Sequence, residues 1–404
     1  MLVQFSFKNF GPFREEAIFD MRGIKAYKEH DYNLINIKDY GNILKVAAIY
    51  GANASGKSNF VDAYRCFRRL VGYSFNNKDD NKESILEKYY HPFLFSGDDC
   101  DLTSEFEGVY LMDGSEYKYG FIYNHKEILY EWLYKKKIST GRKTTIIERT
   151  NLKINLGASV KKSCEKYVEQ VENDVLALSF YNRLQLRTTV FKETFNCITD
   201  ILALSLNCNS SIEKFSNDYF KNDFDEKKKD RLLNFLSSID IGIKDITVEK
   251  MKDKIQVFTH HIGENGEDYE VPIDIESDGT RKVIAVYSFV EIAIRQNKGL
   301  IIDELNMQLH PLLLKYIVDL FYEENTRGQL IYTTHDTTLL DKRYFRRDQV
   351  WFINKDKKSQ ASISSLAEFK VRNDASFEQE YLGGVFGGIP ILTDYSFEDK
   401  KNGK

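Results

Sequence analysis

The chain has 404 residues, 42% of them hydrophobic, with 28 Phe and 25 Tyr against only 5 Pro. That leaves room for two or three units of ordinary size around a substantial core, and it argues against a Pro-rich or disordered polypeptide. A net charge of −4 and a pI near 6.1 exclude a strong overall field for nucleic acid.

The first strands are read from alternation. Val3, Phe5 and Phe7 predict one strand, Gly11-Pro12 a turn, and Ala17 and Phe19 a second strand. Val46-Ala47-Ala48-Ile49-Tyr50 is almost wholly apolar, as suits a strand buried on both faces. After a glycine-rich loop, Phe60, Ala63, Tyr64, Phe67, Leu70 and Val71 recur at helical spacing. Residues 104–150 predict short strands and hairpins, with Asp113-Gly114 as a turn. From 158 to about 236 the pattern is helical and charged, without the sustained heptads of a long coiled coil, so any arm is short. Residues 243–275 return to strand-like alternation. A helix at 281–296, a strand at 299–304, a helix at 311–325 and a strand at 328–336 then predict a parallel α/β sheet.

Two basic runs, Lys135-Lys136-Lys137 with Arg142-Lys143 and Lys227-Lys228-Lys229, read as solvated surface or as contacts for a phosphate backbone. Five scattered cysteines form no C-x-x-C pair, which predicts neither a disulfide framework nor a zinc site and fits a reducing cytoplasm. The N-terminus lacks the basic and apolar regions of a signal peptide, and no apolar run reaches bilayer length. A cytoplasmic protein with no membrane partner is expected.

Three segments carry chemistry. Gly51-Ala52-Asn53-Ala54-Ser55-Gly56-Lys57-Ser58 matches G-x-x-x-x-G-K-[ST] between a buried strand and a helix beginning near Asn59. Its glycines let backbone N–H groups face phosphate oxygens, Lys57 neutralises the β- and γ-phosphates, and Ser58 offers a hydroxyl to Mg²⁺. Leu300-Ile301-Ile302-Asp303-Glu304 is an apolar strand ending in two acids. Asp303 is placed to hold Mg²⁺ and Glu304 to polarise the attacking water. Leu330-Ile331-Tyr332-Thr333-Thr334-His335 is a second such strand, ending in a histidine suited to sensing the γ-phosphate.

Together these segments resemble ABC-type ATPases of the SMC, RecF and OLD kind. The resemblance implies an α/β, ABC-ATPase-type P-loop head with a mostly parallel sheet, an antiparallel β subdomain and a helical insertion. It divides the chain at 1–157 (N-terminal half of the head), 158–240 (insertion) and 241–404 (C-terminal half and tail). It also implies that Glu276-Ser277-Asp278-Gly279-Thr280 is the signature segment, with Ser277 and Gly279 reaching a partner copy's nucleotide across a dimer or higher homo-oligomer. Asn306 to Pro311 take the place of the family's D-loop. No glutamine for a Q-loop is found at Tyr89–Phe95, where one would stand.

The stretches NFGPFREE, ESDGTRK, RRDQVWF and YLGGVFGGIP narrow the resemblance to prokaryotic AAA-type ATP-binding proteins of abortive-infection and anti-phage operons, often encoded beside an RloB-like partner. A separate effector, RloB-like or a nuclease or toxin, is the implied partner, and ATP and Mg²⁺ are the implied ligands. Fewer than seventy residues follow His335, with no D-x-D cluster, so an OLD-type nuclease domain is not expected in this chain. A RecF-like DNA-binding repair ATPase and a hydrolytically idle scaffold are the competing expectations. Gly383–Gly388 reads either as a docking surface or as a plain turn.

Overall fold

The computed structural model describes residues 1–75, 84–97, 102–184, 186–206, 218–221, 224–250, 255–306, 309–372 and 375–390. Two large sheets organise them. The first is antiparallel and seven-stranded, in the order Lys153–Leu156, Lys143–Thr150, Ile128–Lys137, Ser115–Tyr123, Ser104–Met112, Leu2–Lys8, Ala17–Asp20. The second has six strands, in the order Leu202–Ser205, Gly299–Asp303, Gln329–Thr334, Val46–Tyr50, Val350–Lys355, Ala361–Ser365. All its pairings are parallel except the last. This is the expected α/β head with a mostly parallel sheet.

The run Val46–Tyr50 is buried along its whole length because each face meets a different core. Ala47 and Ile49 join the apolar cluster that holds the helix Lys57–Tyr73 and the antiparallel sheet. Val46, Ala48 and Tyr50 join the opposite cluster, with the helices Glu226–Ser238, Asp278–Arg295 and Pro311–Tyr322. The Phe and Tyr content has its use in the first cluster. There Phe5 meets Tyr64 at 5.0 Å and Phe67 at 5.7 Å between ring centroids, locking the N-terminal strand onto the Lys57–Tyr73 helix. Gln329, buried at the foot of the histidine strand, accepts from the Leu2 N–H at 2.7 Å and donates to the Leu2 carbonyl at 2.9 Å.

Within 158–240 the structure adds a strand that the helical pattern does not announce. Leu202–Ser205 pairs in parallel with Gly299–Asp303, which places Ser205 opposite Asp303. The preceding helices Ala177–Arg183 and Val190–Thr199 lie against the Lys57–Tyr73 helix in the same apolar cluster. A small three-stranded antiparallel sheet, Asp245–Lys250, Ile255–Ile262 and Asp268–Pro272, leads into the segment expected to be the signature, Glu276 to Thr280.

Candidate nucleotide site

The parallel sheet sets the site by aligning three strand ends. Ile302, Tyr332 and Ala48 are in register across neighbouring strands, and Tyr50 stands opposite Thr334, so the three parallel strands end at one edge. This edge is where ligands bind in open parallel sheets.

The glycine loop leaves the central strand through Gly51. A Cβ there would fall 2.6 Å from Ser55 Oγ and 2.7 Å from the Ile353 carbonyl, so only glycine fits. Gly56 has φ +116°, and a Cβ on it would press Pro12 and Ala361 at 3.3 Å. Ala54 at φ +61° completes the reversal, and Asn53 and Ala54 form its exposed apex. The helix then opens at Lys57 with no side chain capping it, leaving its first N–H groups for an anion. Ser55 Oγ is buried without a partner in the same loop. A polar orphan and an uncapped helix end fit a phosphate chain.

Lys57 is buried, and its Nζ donates to the Gly51 carbonyl at 2.8 Å and the Ala52 carbonyl at 3.2 Å. It also lies 3.5 Å from Glu304 Oε1. Glu304 ends its strand at φ +53°, a conformation that a non-glycine residue adopts only when its surroundings impose it. Its carboxylate meets His335 Nδ1 at 3.0 Å. His335 Nε2 in turn approaches Asn306 Nδ2 at 3.4 Å, and Thr334 Oγ1 donates to Asn306 Oδ1 at 2.9 Å. Of the segment expected in the D-loop position, Met307 and Gln308 lie outside the described residues.

Asp303 is buried, and that burial pushes its carboxyl above the ordinary range. Hydrogen bonds from Thr333 and Ser58 oppose the shift, while the charges of Glu304 and Asp62 add to it. A buried carboxylate crowded by two others favours a cation beside it. Asp303 and the Ser58 hydroxyl could supply the one or two protein oxygens that Mg²⁺ takes when phosphates and water complete its shell.

Thr333, which sequence reasoning passed over, ties the two acids together. Its hydroxyl donates to Asp303 Oδ1 at 2.6 Å and accepts the Glu304 N–H at 2.8 Å, so one side chain fixes both acids. The available signal was a pair of threonines inside an otherwise apolar buried strand. Thr333→Val removes that hydroxyl at constant shape. It should destabilise the fold by about 1–3 kcal/mol, the cost of stranding two buried polar groups, as read from a denaturant titration.

Among the described residues, Ser277 shares no hydrogen bond with this cluster. Ser277 caps the helix Asp278–Arg295, its Oγ accepting the Thr280 N–H at 3.1 Å, and among the described residues its hydrogen bonds stay within that turn. Gly279 is open: an added Cβ would meet only Ser277 Oγ, at 3.8 Å. The residue before the cap, Glu276, is gripped by His261 Nε2 at 2.6 Å and by the Thr259 hydroxyl. The small sheet thus holds the residue before the cap, while Ser277 and Asp278 are exposed.

Asn59 lies one step beyond the loop, 3.0 Å from where a Gly11 Cβ would be. It lines a cleft of about 300 Å³ with Asp62, Arg65 and His91. The segment around Tyr89–Phe95 is tied to the N-terminal turn, the Gly11 N–H donating to the His91 carbonyl at 2.7 Å. It brings no glutamine to the site. In the basic runs, Lys135 lies over the Tyr117 ring at 4.9 Å and Lys229 pairs with Asp245 at 3.1 Å. No helix of the described residues is long and apolar enough to cross a membrane.

Two solved structures are similar to this chain at low identity. The SMC head domain from Thermotoga maritima is 14% identical, with 92% of this chain and 99% of that one covered and a TM-score of 0.40. An SMC head bound to the C-winged helix domain of ScpA is also 14% identical, with 90% and 97% covered and a TM-score of 0.41. No curated protein matches the sequence. A family model matches residues 46–341, from the strand before the glycine loop to beyond His335. The chain belongs to the family described as "AAA domain, putative AbiEii toxin, Type IV TA system".

Proposed function

We propose that this protein is a Mg²⁺-dependent ATPase whose heads pair around two ATP molecules and so act as a nucleotide-controlled switch. One observation carries the reading: Lys57, Ser58, Asp303, Glu304 and His335 meet at a single sheet edge although they lie at or beyond the ends of three separate strands. Gly51 to Asn59 would wrap the phosphates, and Lys57 would leave the carbonyls of Gly51 and Ala52 to meet them. Ser58 and Asp303 would hold Mg²⁺, which when bound neutralises charge on the phosphates. Glu304 orients the attacking water and takes its proton, and His335 holds the Glu304 carboxylate and faces the γ-phosphate.

Ser277 is exposed and Gly279 has open space beside it, at a helix N-terminus suited to a phosphate of a second copy. A ligand bound between two heads stabilises only the closed pair, and this differential affinity makes ATP a switch. The family's description names a putative AbiEii toxin and a type IV TA system, which supports a role in a system of that kind. In our reading the switch works in the cytoplasm, in an anti-phage or abortive-infection system, and controls a separate effector.

Phosphate release from ATP tests the enzymatic claim. The wild-type protein should hydrolyse ATP only with Mg²⁺. Lys57→Ala should lose both ATP binding and turnover while remaining folded. Release by Lys57→Ala at the wild-type rate would remove the glycine loop from the mechanism.

A further inference from the structure

The C-terminal segment Phe377 to Gly388 touches both sides of the nucleotide site. Gly388 approaches the first residue of the glycine loop: a Cβ on it would lie 3.4 Å from Gly51 Cα, from Asn354 Oδ1 and from the Tyr381 ring. Gly384, Gly387 and Gly388 have φ of +79°, +69° and +68°, the region that glycine enters without strain. The segment is anchored on three points. Tyr381 donates its hydroxyl to the Gly388 carbonyl at 2.8 Å, Asn354 Nδ2 donates to the Phe386 carbonyl at 3.2 Å, and Phe386 stacks on Phe352 at 5.0 Å. Tyr381 also lies 5.9 Å from the ring of Tyr50, the last residue of the central strand. At its other end, Glu378 accepts a hydrogen bond of 2.6 Å from Thr337, two residues past His335.

We propose that residues 377–388 form a positioning clamp for the nucleotide site. In it Gly388 braces Gly51 from behind, and Glu378 fixes the loop that carries His335. The inference rests on the ATP reading above. Gly51 is the residue whose carbonyl holds Lys57, so a shift of Gly51 changes where the lysine and the loop N–H groups point. The two ends of the clamp therefore serve different steps. The Gly388 end acts on phosphate binding, and the Glu378 end acts on the geometry of the γ-phosphate side.

The test separates those steps by measuring the ATP dissociation constant and kcat on the full chain. Gly388→Val places a branched side chain against Gly51 and should weaken ATP binding roughly tenfold or more, with a smaller change in kcat. Should that variant not fold, Gly388→Ala, whose Cβ reaches contact distance with Gly51 and strains the φ +68° turn, should still weaken binding several-fold. Glu378→Ala removes the acceptor for Thr337 and should lower kcat several-fold with the dissociation constant unchanged, and Glu378→Gln, which keeps an acceptor oxygen, should restore it. Wild-type constants in both end variants, or equal losses that merely follow a lowered melting temperature, would overturn the clamp and leave the ATPase reading standing. If the wild-type chain itself binds no ATP, the ATPase reading falls and takes the clamp with it.

Discussion

Glu304→Gln is expected to slow phosphate release by roughly 10²- to 10⁴-fold, the usual contribution of a positioned general base, while ATP stays bound. The substitution keeps the side chain's length and an oxygen for His335, so the φ +53° turn that aims it need not change. What it removes is the basic oxygen that accepts the proton from water, together with the negative charge beside Lys57 and Asp303. Loss of that charge leaves nucleotide binding intact or improved, because a phosphate chain no longer enters beside it. Occupied heads then accumulate, and with them the closed pair whose stability comes from ATP. Size-exclusion chromatography with ATP and Mg²⁺ should show this variant as a dimer and the wild type as a mixture or monomer. A Glu304→Gln protein that binds ATP yet stays monomeric rules out the sandwich.

The central machinery is legible in the sequence because backbone physics dictates its residue types. A loop that must reverse at Gly51 and Gly56 admits almost nothing else at those positions, since any Cβ would strike Ile353, Pro12 or Ala361. Strands buried on both faces announce themselves as unbroken apolar runs, and what ends them is exposed at one edge by the parallel register. Other features leave no such mark. Leu202–Ser205 is too short to carry an alternation, and it follows directly on a helix, so nothing local separates it from the helical stretch. Thr333 reads as an ordinary β-branched strand residue, and only the third dimension shows its hydroxyl between Asp303 and Glu304. The contact of Gly388 with Gly51 joins opposite ends of the chain, and a run of glycines does not say what it lies against. Partners of a surface turn such as Ser277-Asp278-Gly279 are equally invisible, because the residues that complete it would belong to another copy.

That last point has a direct experimental consequence. Ser277→Arg and Lys57→Ala should each be inactive alone, yet mixing the two proteins should restore ATP hydrolysis. A bulky cation at Ser277 blocks the helix N-terminus that would receive the partner's phosphate, without disturbing the glycine loop of its own chain, with which Ser277 shares no hydrogen bond among the described residues. Lys57→Ala destroys its own loop and leaves its Ser277 intact. In a mixed pair one site combines both defects, while the other combines an intact loop with an intact signature turn. Random exchange makes half the pairs mixed, each with one complete site, so roughly a quarter of the wild-type rate should return at equal ratio. If Ser277 and Lys57 instead served the same nucleotide within one chain, no mixture could contain a whole site. The rate would then remain at the sum of the two inactive proteins across every ratio tested.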